Sequence, residues 1–245
     1  MKTAALSRVV CAGITLTAVM TAESEPHRTF LRPPTAHSGL AVLAPIRAGL
    51  ADPATKEHAL AALADQSDAD ARRRGVLWLA RSGGMEDVPI LVRALRDPDP
   101  SVRAFAESAM WQIWSRSGDE ETDRLFALGV EQMNGRDGPA AIATFTRVIE
   151  RRPDFAEGWN KRATVYFLIG EYRKSVADCD EVLRRNPYHF GALSGTGMNY
   201  VELDNLGKAL QYFERALRVN PNMRQVEQTI ELLKELLAER LRRSL

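Results

Sequence analysis

Apolar residues recur along most of this chain at intervals of three and four, with charged residues filling the positions between them. That is the period of an amphipathic helix. Alternation of Val, Ile and Thr, the mark of strands, is nearly absent, while Ala, Leu, Arg and Glu recur throughout. The pattern predicts helices almost everywhere after about residue 38. Its last element runs over about residues 223–243, where Val226, Ile230, Leu233, Leu237 and Leu241 form one stripe. The beginning reads differently. Lys2 and Arg8 precede an uncharged apolar run from Val9 to about Ala22. This is the order of a secretory signal peptide, and the run is too short to span a membrane. Residues 1–24 are therefore expected to be a signal, cut after Ala22 or Ser24, with an uncleaved anchoring helix as the alternative. Lipidation at Cys11 is not expected, because Arg8, Val9 and Val10 are not the small residues such a signal carries. Residues 25–38 contain Pro26, Pro33 and Pro34 without periodicity and read as a flexible linker. No later stretch approaches eighteen apolar residues. The expectation is a periplasmic or secreted protein of bacterial source, with no membrane contact once the signal is removed.

The C-terminal half repeats. Pro153, Pro187 and Pro221 stand 34 residues apart, each preceded by a polar residue: Arg152, Asn186, Asn220. Twelve residues before each proline is a small residue, Ala141, Ser175 or Ala209. Eight before are Phe145, Cys179 and Phe213. Twenty-four before are Gly129, Ala163 and Gly197, and twenty-eight before are Leu125, Trp159 and Leu193. Small residues let two helices approach, large ones fill the space between successive hairpins, and proline stops the second helix of each pair.

This pattern, from about Thr122 to Pro221, resembles the tetratricopeptide repeat (TPR) family, with repeats at 122–155, 156–189 and 190–223. The central one carries Trp159, Ala163, Tyr166, Gly170, Tyr172, Ser175, Cys179 and Pro187; the first departs most, with Gln132 and Gly138 where the second has Tyr166 and Tyr172. The resemblance implies an all-α helix-hairpin solenoid in which each hairpin covers its neighbour's apolar face. The final helix, residues 223–245, is then a cap, or alternatively a self-assembly helix.

Residues 39–118 carry a second, weaker pattern. Asp68 to Arg72 and Asp99 to Arg103 lie 31 apart, each opening an apolar helical stretch. Together with Val102, Arg103, Ala104, Phe105 and Ala106 they resemble short HEAT repeats, preceded by a degenerate hairpin over residues 40–65. The aspartates are expected to cap helix starts. The resemblance implies a buried arginine, expected at Arg103, paired with an aspartate of a neighbouring turn. The two halves are expected either to form one solenoid or to hinge near residues 117–122.

The TPR resemblance also implies a binding surface along the first helix of each repeat. Phe126, Val130 and Met133, then Asn160, Thr164 and Phe167, then Ser194, Met198 and Val201 fall on that face, with Lys161 beside it. Methionine and phenylalanine suit an adaptable groove for an apolar segment. Phe126 and Met133 have a second reading, as residues covered by the preceding hairpins. One TPR subclass grips a C-terminal carboxylate; the matching positions are Phe126, Val130, Lys161, Gly191 and Gly195, of which only Lys161 is cationic, so that clamp is not implied. Gly191, Gly195 and Gly197 weaken one helix by roughly 1 kcal/mol each, which points to something packing close there.

Composition changes little in this picture. The chain has 245 residues, 45% hydrophobic and 27% charged, with 33 basic against 32 acidic side chains. That balance, with charges alternating in sign along the helices, argues against nucleic acid as a partner. Four histidines, His27, His37, His58 and His189, lack metal spacing, and no phosphate loop or nucleophile elbow occurs. Asp178 and Asp180 read as solvated helix surface and Cys179 as a small buried hydrophobe. The sequence thus describes a non-catalytic scaffold without metal or cofactor, binding a protein or peptide partner.

Overall fold

A computed structural model describes residues 52–244; the expected signal, the linker and the start of the degenerate hairpin lie outside them. Among the described residues the chain forms helices only. They are α1 (Lys56–Ala64), α2 (Ala69–Ser82), α3 (Val88–Ala94) behind a short 3-10 turn (Met85–Asp87), and α4 (Pro100–Trp114). Next come α5 (Glu120–Asn134), α6 (Gly138–Arg151), α7 (Ala156–Leu168), α8 (Tyr172–Arg185), α9 (Phe190–Glu202), α10 (Leu206–Val219) and α11 (Arg224–Ser244).

Local chemistry sets the ends. Asp68 Oδ1 accepts from the amides of Asp70 and Ala71 at 2.8 and 3.0 Å, and Asp99 Oδ1 from those of Ser101 and Val102 at 2.9 and 3.0 Å. Such caps stabilise a helix by about 1 kcal/mol each. The turns between paired helices place Arg136, Gly170 and Asp204 at φ 63°, 82° and 56°. These positions are 34 apart, and each is followed by a bond back across the turn: Asp137 to Gln132, Glu171 to Tyr166 and Asn205 to Tyr200. The left-handed residue closes the helix end in all three repeats, though only the central one uses the glycine that fits it without strain.

The pairs α5/α6, α7/α8 and α9/α10 stack in series, and α11 packs on α10. Close approach within a pair needs the small residues. A Cβ at Gly129 would lie 2.6 Å from Phe145 Cε1, and one at Gly197 2.9 Å from Phe213. At the equivalent position of the central pair the combination is Ala163 with Cys179. One side grows by a methyl where the other shrinks. Cys179 is buried, and burial pushes its thiol up to about 12. Of the last stripe, Val226, Ile230 and Leu233 are buried, Leu237 packs at the core's margin and Leu241 is exposed.

Three readings change here. First, of the two arrangements open for the halves, the chain does not adopt one continuous solenoid: the N-terminal hairpins, α1/α2 and α3/α4, do not precede the first repeat in the stack. Their core of Leu63, Val76, Leu79, Leu91, Leu95, Val102, Met110 and Trp114 includes Phe190 of α9, with Val219 and Met223 packed against it. The Asn222 amide donates to Leu95 O at 2.8 Å, that of Asn220 donates to Glu107 at 3.1 Å, and Arg96 donates to Val219 O at 3.2 Å. The chain turns back after α4 and lies against the third repeat, because that is where its remaining apolar surface finds a partner. Second, the buried arginine paired with an aspartate of a neighbouring turn is Arg72. Its Nε and Nη2 meet Asp97 at 2.7 and 3.0 Å, whereas Arg103 donates to the backbone oxygens of Asp97 and Pro98. Third, Asp178 is not solvated surface. It is 5% exposed and takes a two-pronged bond from Arg162, both at 2.8 Å, while Asp180 is exposed.

Phe190 belongs to both halves. Phe190→Ala should cost about 3–5 kcal/mol, as large core deletions do. It should do so in one cooperative thermal transition that shifts helical signal from both halves together; separate transitions would show the halves to be independent.

Candidate functional site

Helices α5, α7 and α9 lie side by side and present one face at a 34-residue interval. Residues on this face fall into four rungs, each crossing the three helices. The first is Asp123, Glu157 and Gly191; the second Phe126, Asn160 and Ser194; the third Val130, Thr164 and Met198; the fourth Met133, Phe167 and Val201. Members of neighbouring rungs are three or four residues apart, so they share a face.

The expected groove residues separate along these rungs. Phe126 is 9% exposed, its ring 5.9 Å from Phe145 and 5.4 Å from Phe155. It belongs to the core between the first two repeats and is covered by them, not by the N-terminal hairpins. Asn160, also buried, donates to Glu157 Oε1 at 3.1 Å, and Lys161 Nζ lies 3.1 Å from the same oxygen. Lys161 is thus a paired cation. Val201 is buried in the core beneath α11. Val130, Met133, Thr164, Phe167, Ser194 and Met198 are half-buried and line the open surface. Thr164 Oγ1 donates to Asn160 O at 2.9 Å, and the Phe167 ring sits 5.6 Å from that of Tyr172.

Sequence reasoning missed the first rung. Residues 111–117 cross it from the third repeat to the first. A Cβ at Gly191 would lie 2.6 Å from Trp111 Cη2, so that glycine is the notch into which the Trp111 ring descends. Trp114 stacks on His189 at 4.4 Å, and Trp111 meets His189 and Phe190 edge-on at 5.4 and 5.3 Å. Ser117 then donates to Asp123 Oδ1 through its amide at 2.9 Å and its hydroxyl at 2.6 Å. The expected close packing on α9 is met at Gly191 by Trp111 and at Gly197 by Phe213, while Gly195 faces open space. The three glycines were visible in the sequence, but nothing in it linked Gly191 to a tryptophan eighty residues earlier.

Below the tryptophans lies a buried acid–base pair. His189 Nδ1 accepts the Ala192 amide at 3.0 Å as the cap of α9, so the ring hydrogen sits on Nε2 and is donated to Glu157 Oε2 at 2.9 Å. Both side chains are 0% exposed. Burial pushes the Glu157 carboxyl up, but the charge of Lys161 and the hydrogen bonds of His189 and Asn160 outweigh it and hold it at about 2. Among the described residues no three His, Cys, Asp or Glu side chains gather as a metal site, and no helix is long and apolar enough to cross a membrane.

The depressed Glu157 carboxyl has a direction in pH. It takes up a proton in the unfolded chain at 4.5 but in the folded one only near 2. Its contribution is therefore complete above the unfolded value and is lost as pH falls from 4.5 towards 2, on the order of 3 kcal/mol. Urea melts of Glu157→Gln should show lower stability than the parent at pH 7 and a flatter acid limb, the two curves converging near pH 2. An equally steep limb in the variant would assign the acid sensitivity elsewhere.

Two stretches, residues 126–190 and 196–223, match models of the tetratricopeptide repeat. A TPR repeat-containing protein of Rhizobium etli is 34% identical over 143 residues, covering 58% of this chain and 70% of that one. The Protein SGT1 homolog of Bos taurus is 31% identical over 97 residues, 40% of this chain but only 29% of the bovine protein. Among solved structures, the Sgt2 TPR domain from Aspergillus fumigatus shares 21% identity over 51% of this chain and 83% of that one, with a TM-score of 0.48. The extent and identity of the Rhizobium match, together with the 34-residue geometry that underlies it, place this chain in the tetratricopeptide repeat family.

Proposed function

We propose that this protein is a non-catalytic interaction module that holds an apolar segment of a partner protein against α5, α7 and α9. One observation carries the reading: Val130, Met133, Phe167 and Met198 stand half-buried on three neighbouring helices, Val130, Met133 and Met198 packed on the repeat cores and Phe167 against the Tyr172 ring. Apolar side chains on a rigid concave surface bind with little ordering cost, and methionine adapts to the shape of what it meets. Lys161, held by Glu157, leaves the face without a free cation at the expected position. This favours an apolar segment over an anionic chain end.

Two finer readings belong with this one. The HEAT-like reading of residues 39–118 is supported by the paired helices α1/α2 and α3/α4 and by the Arg72 to Asp97 bridge between them. Export is supported by the charged-then-apolar order of residues 1–24. Expression in a bacterial host followed by mass measurement tests it: loss of 22 or 24 residues agrees with the signal, and an intact chain in the cytoplasm contradicts it.

A crosslinking pull-down with the full chain as bait tests the groove. In a Phe167→Ala, Met198→Ala double variant that keeps its helical signal, capture of the specific partner should fall at least about tenfold, as loss of central apolar anchors does. Equal capture by both baits would move the binding surface to the N-terminal hairpins or to α11.

A further inference from the structure

The first rung is not open. Residues 111–117 lie over it in reverse repeat order: Trp111 over Gly191 on α9, Trp114 on His189, which in turn bonds Glu157 of α7, and Ser117, six residues earlier in the chain, on Asp123 of α5. Each of Asp123, Glu157 and Gly191 lies three residues before the second-rung residue of its helix, so all three share the helix face that carries the third and fourth rungs. The segment meets the groove as a ligand would, with two rings seated in a hollow and a polar group tied down at the far end. Its position is held from behind. Arg116 donates to the backbone oxygens of Ala80 and Gly83 at 2.6 and 2.7 Å, and Trp114 is 3% exposed.

We infer that residues 111–117 are an internal ligand of the groove, with Trp111 in the Gly191 notch as its end-stop, so that a partner segment is confined to the third and fourth rungs. This rests on the reading of the groove as the binding surface. With the first rung covered and Phe126 and Asn160 of the second buried, the third and fourth rungs offer Val130, Thr164, Met198, Met133 and Phe167, which are apolar except for one threonine whose hydroxyl is already bonded within its helix. The partner they fit is a short apolar stretch that cannot continue past the second rung. Gly191 and Trp111 thereby become length-determining residues of this groove. A glycine in mid-groove, unfavourable for its helix by roughly 1 kcal/mol against alanine, is explained by the ring it admits.

The test uses the full chain and displayed random twelve-residue peptides as the probe. Peptides selected on the parent whose binding is lost in Phe167→Ala define groove ligands. Each is then lengthened by four apolar residues at either end. In the parent, lengthening towards the first rung should not improve Kd. In Trp111→Phe, which withdraws the ring atoms over Gly191 but keeps an aromatic ring beside His189 and Phe190, it should improve Kd about tenfold or more. A second readout needs no ligand. Ser194→Cys, beside the stop, should react with maleimide more slowly than Met198→Cys in the parent and at a similar rate once Trp111→Phe is added. Equal gains from lengthening in parent and variant, or maleimide rates unmoved by Trp111→Phe, overturn the end-stop and leave the groove reading intact. Selected peptides that ignore Phe167→Ala overturn the groove reading, and the maleimide rates then still decide whether the segment blocks this face.

Discussion

Phe190 is enclosed by Trp111 and Trp114 on one side and by its own repeat on the other, and the arrangement of the molecule depends on that enclosure. Aromatic rings bury large areas, and edge-on pairs add a little more than their area alone. A solenoid repeat at the end of a stack leaves an apolar face that something must cover. Here α11 covers one part of the third repeat, with Val226, Ile230 and Leu233. The N-terminal helices cover another, with their core running through Phe190 to Val219 and Met223. Had the hairpins stacked before the first repeat instead, Phe190, Val219 and Met223 would lose that cover.

The buried polar groups define this arrangement more sharply than the apolar ones. Arg72 with Asp97, Arg162 with Asp178, and Glu157 with His189 each join a helix to another helix or to the turn beside one, and each side chain except Arg162 is almost wholly enclosed. Ions removed from water gain little net stability from pairing, but separating them is expensive. Such pairs therefore fix which helix lies against which. Glu157 shows this most fully: Lys161, His189 and Asn160 all converge on it, and His189 in turn caps α9 and carries the stacked Trp114 ring. One carboxylate on α7 thus holds, through His189, both the start of α9 and the tryptophan stacked on it.

Much of the repeat architecture could be read from single positions. Three prolines 34 apart, with small residues at Gly129, Ala163 and Gly197, determine where helices stop and how closely they approach, because proline lacks an amide and a glycine lacks the carbon that would strike Phe145 or Phe213. The same period aligned the faces of α5, α7 and α9 but did not tell that Phe126, Asn160 and Val201 on them are buried. Arg103, Asp178 and the place of the N-terminal hairpins could not be read in this way, because a charge pattern gives the same local sequence whether its partner is water or a residue from another helix.

The sequence by itself determined the helices, their pairing into hairpins and the residues that recur on one face of each first helix, since all of these rest on interactions within about 34 residues. Only the tertiary structure decided that Trp111 and Trp114 lie against Gly191 and His189. Those partners are read in one direction as an ordinary helix position and a cap; the contact arises from surplus apolar surface on two separate units, and such surface carries no record in the chain of what will cover it.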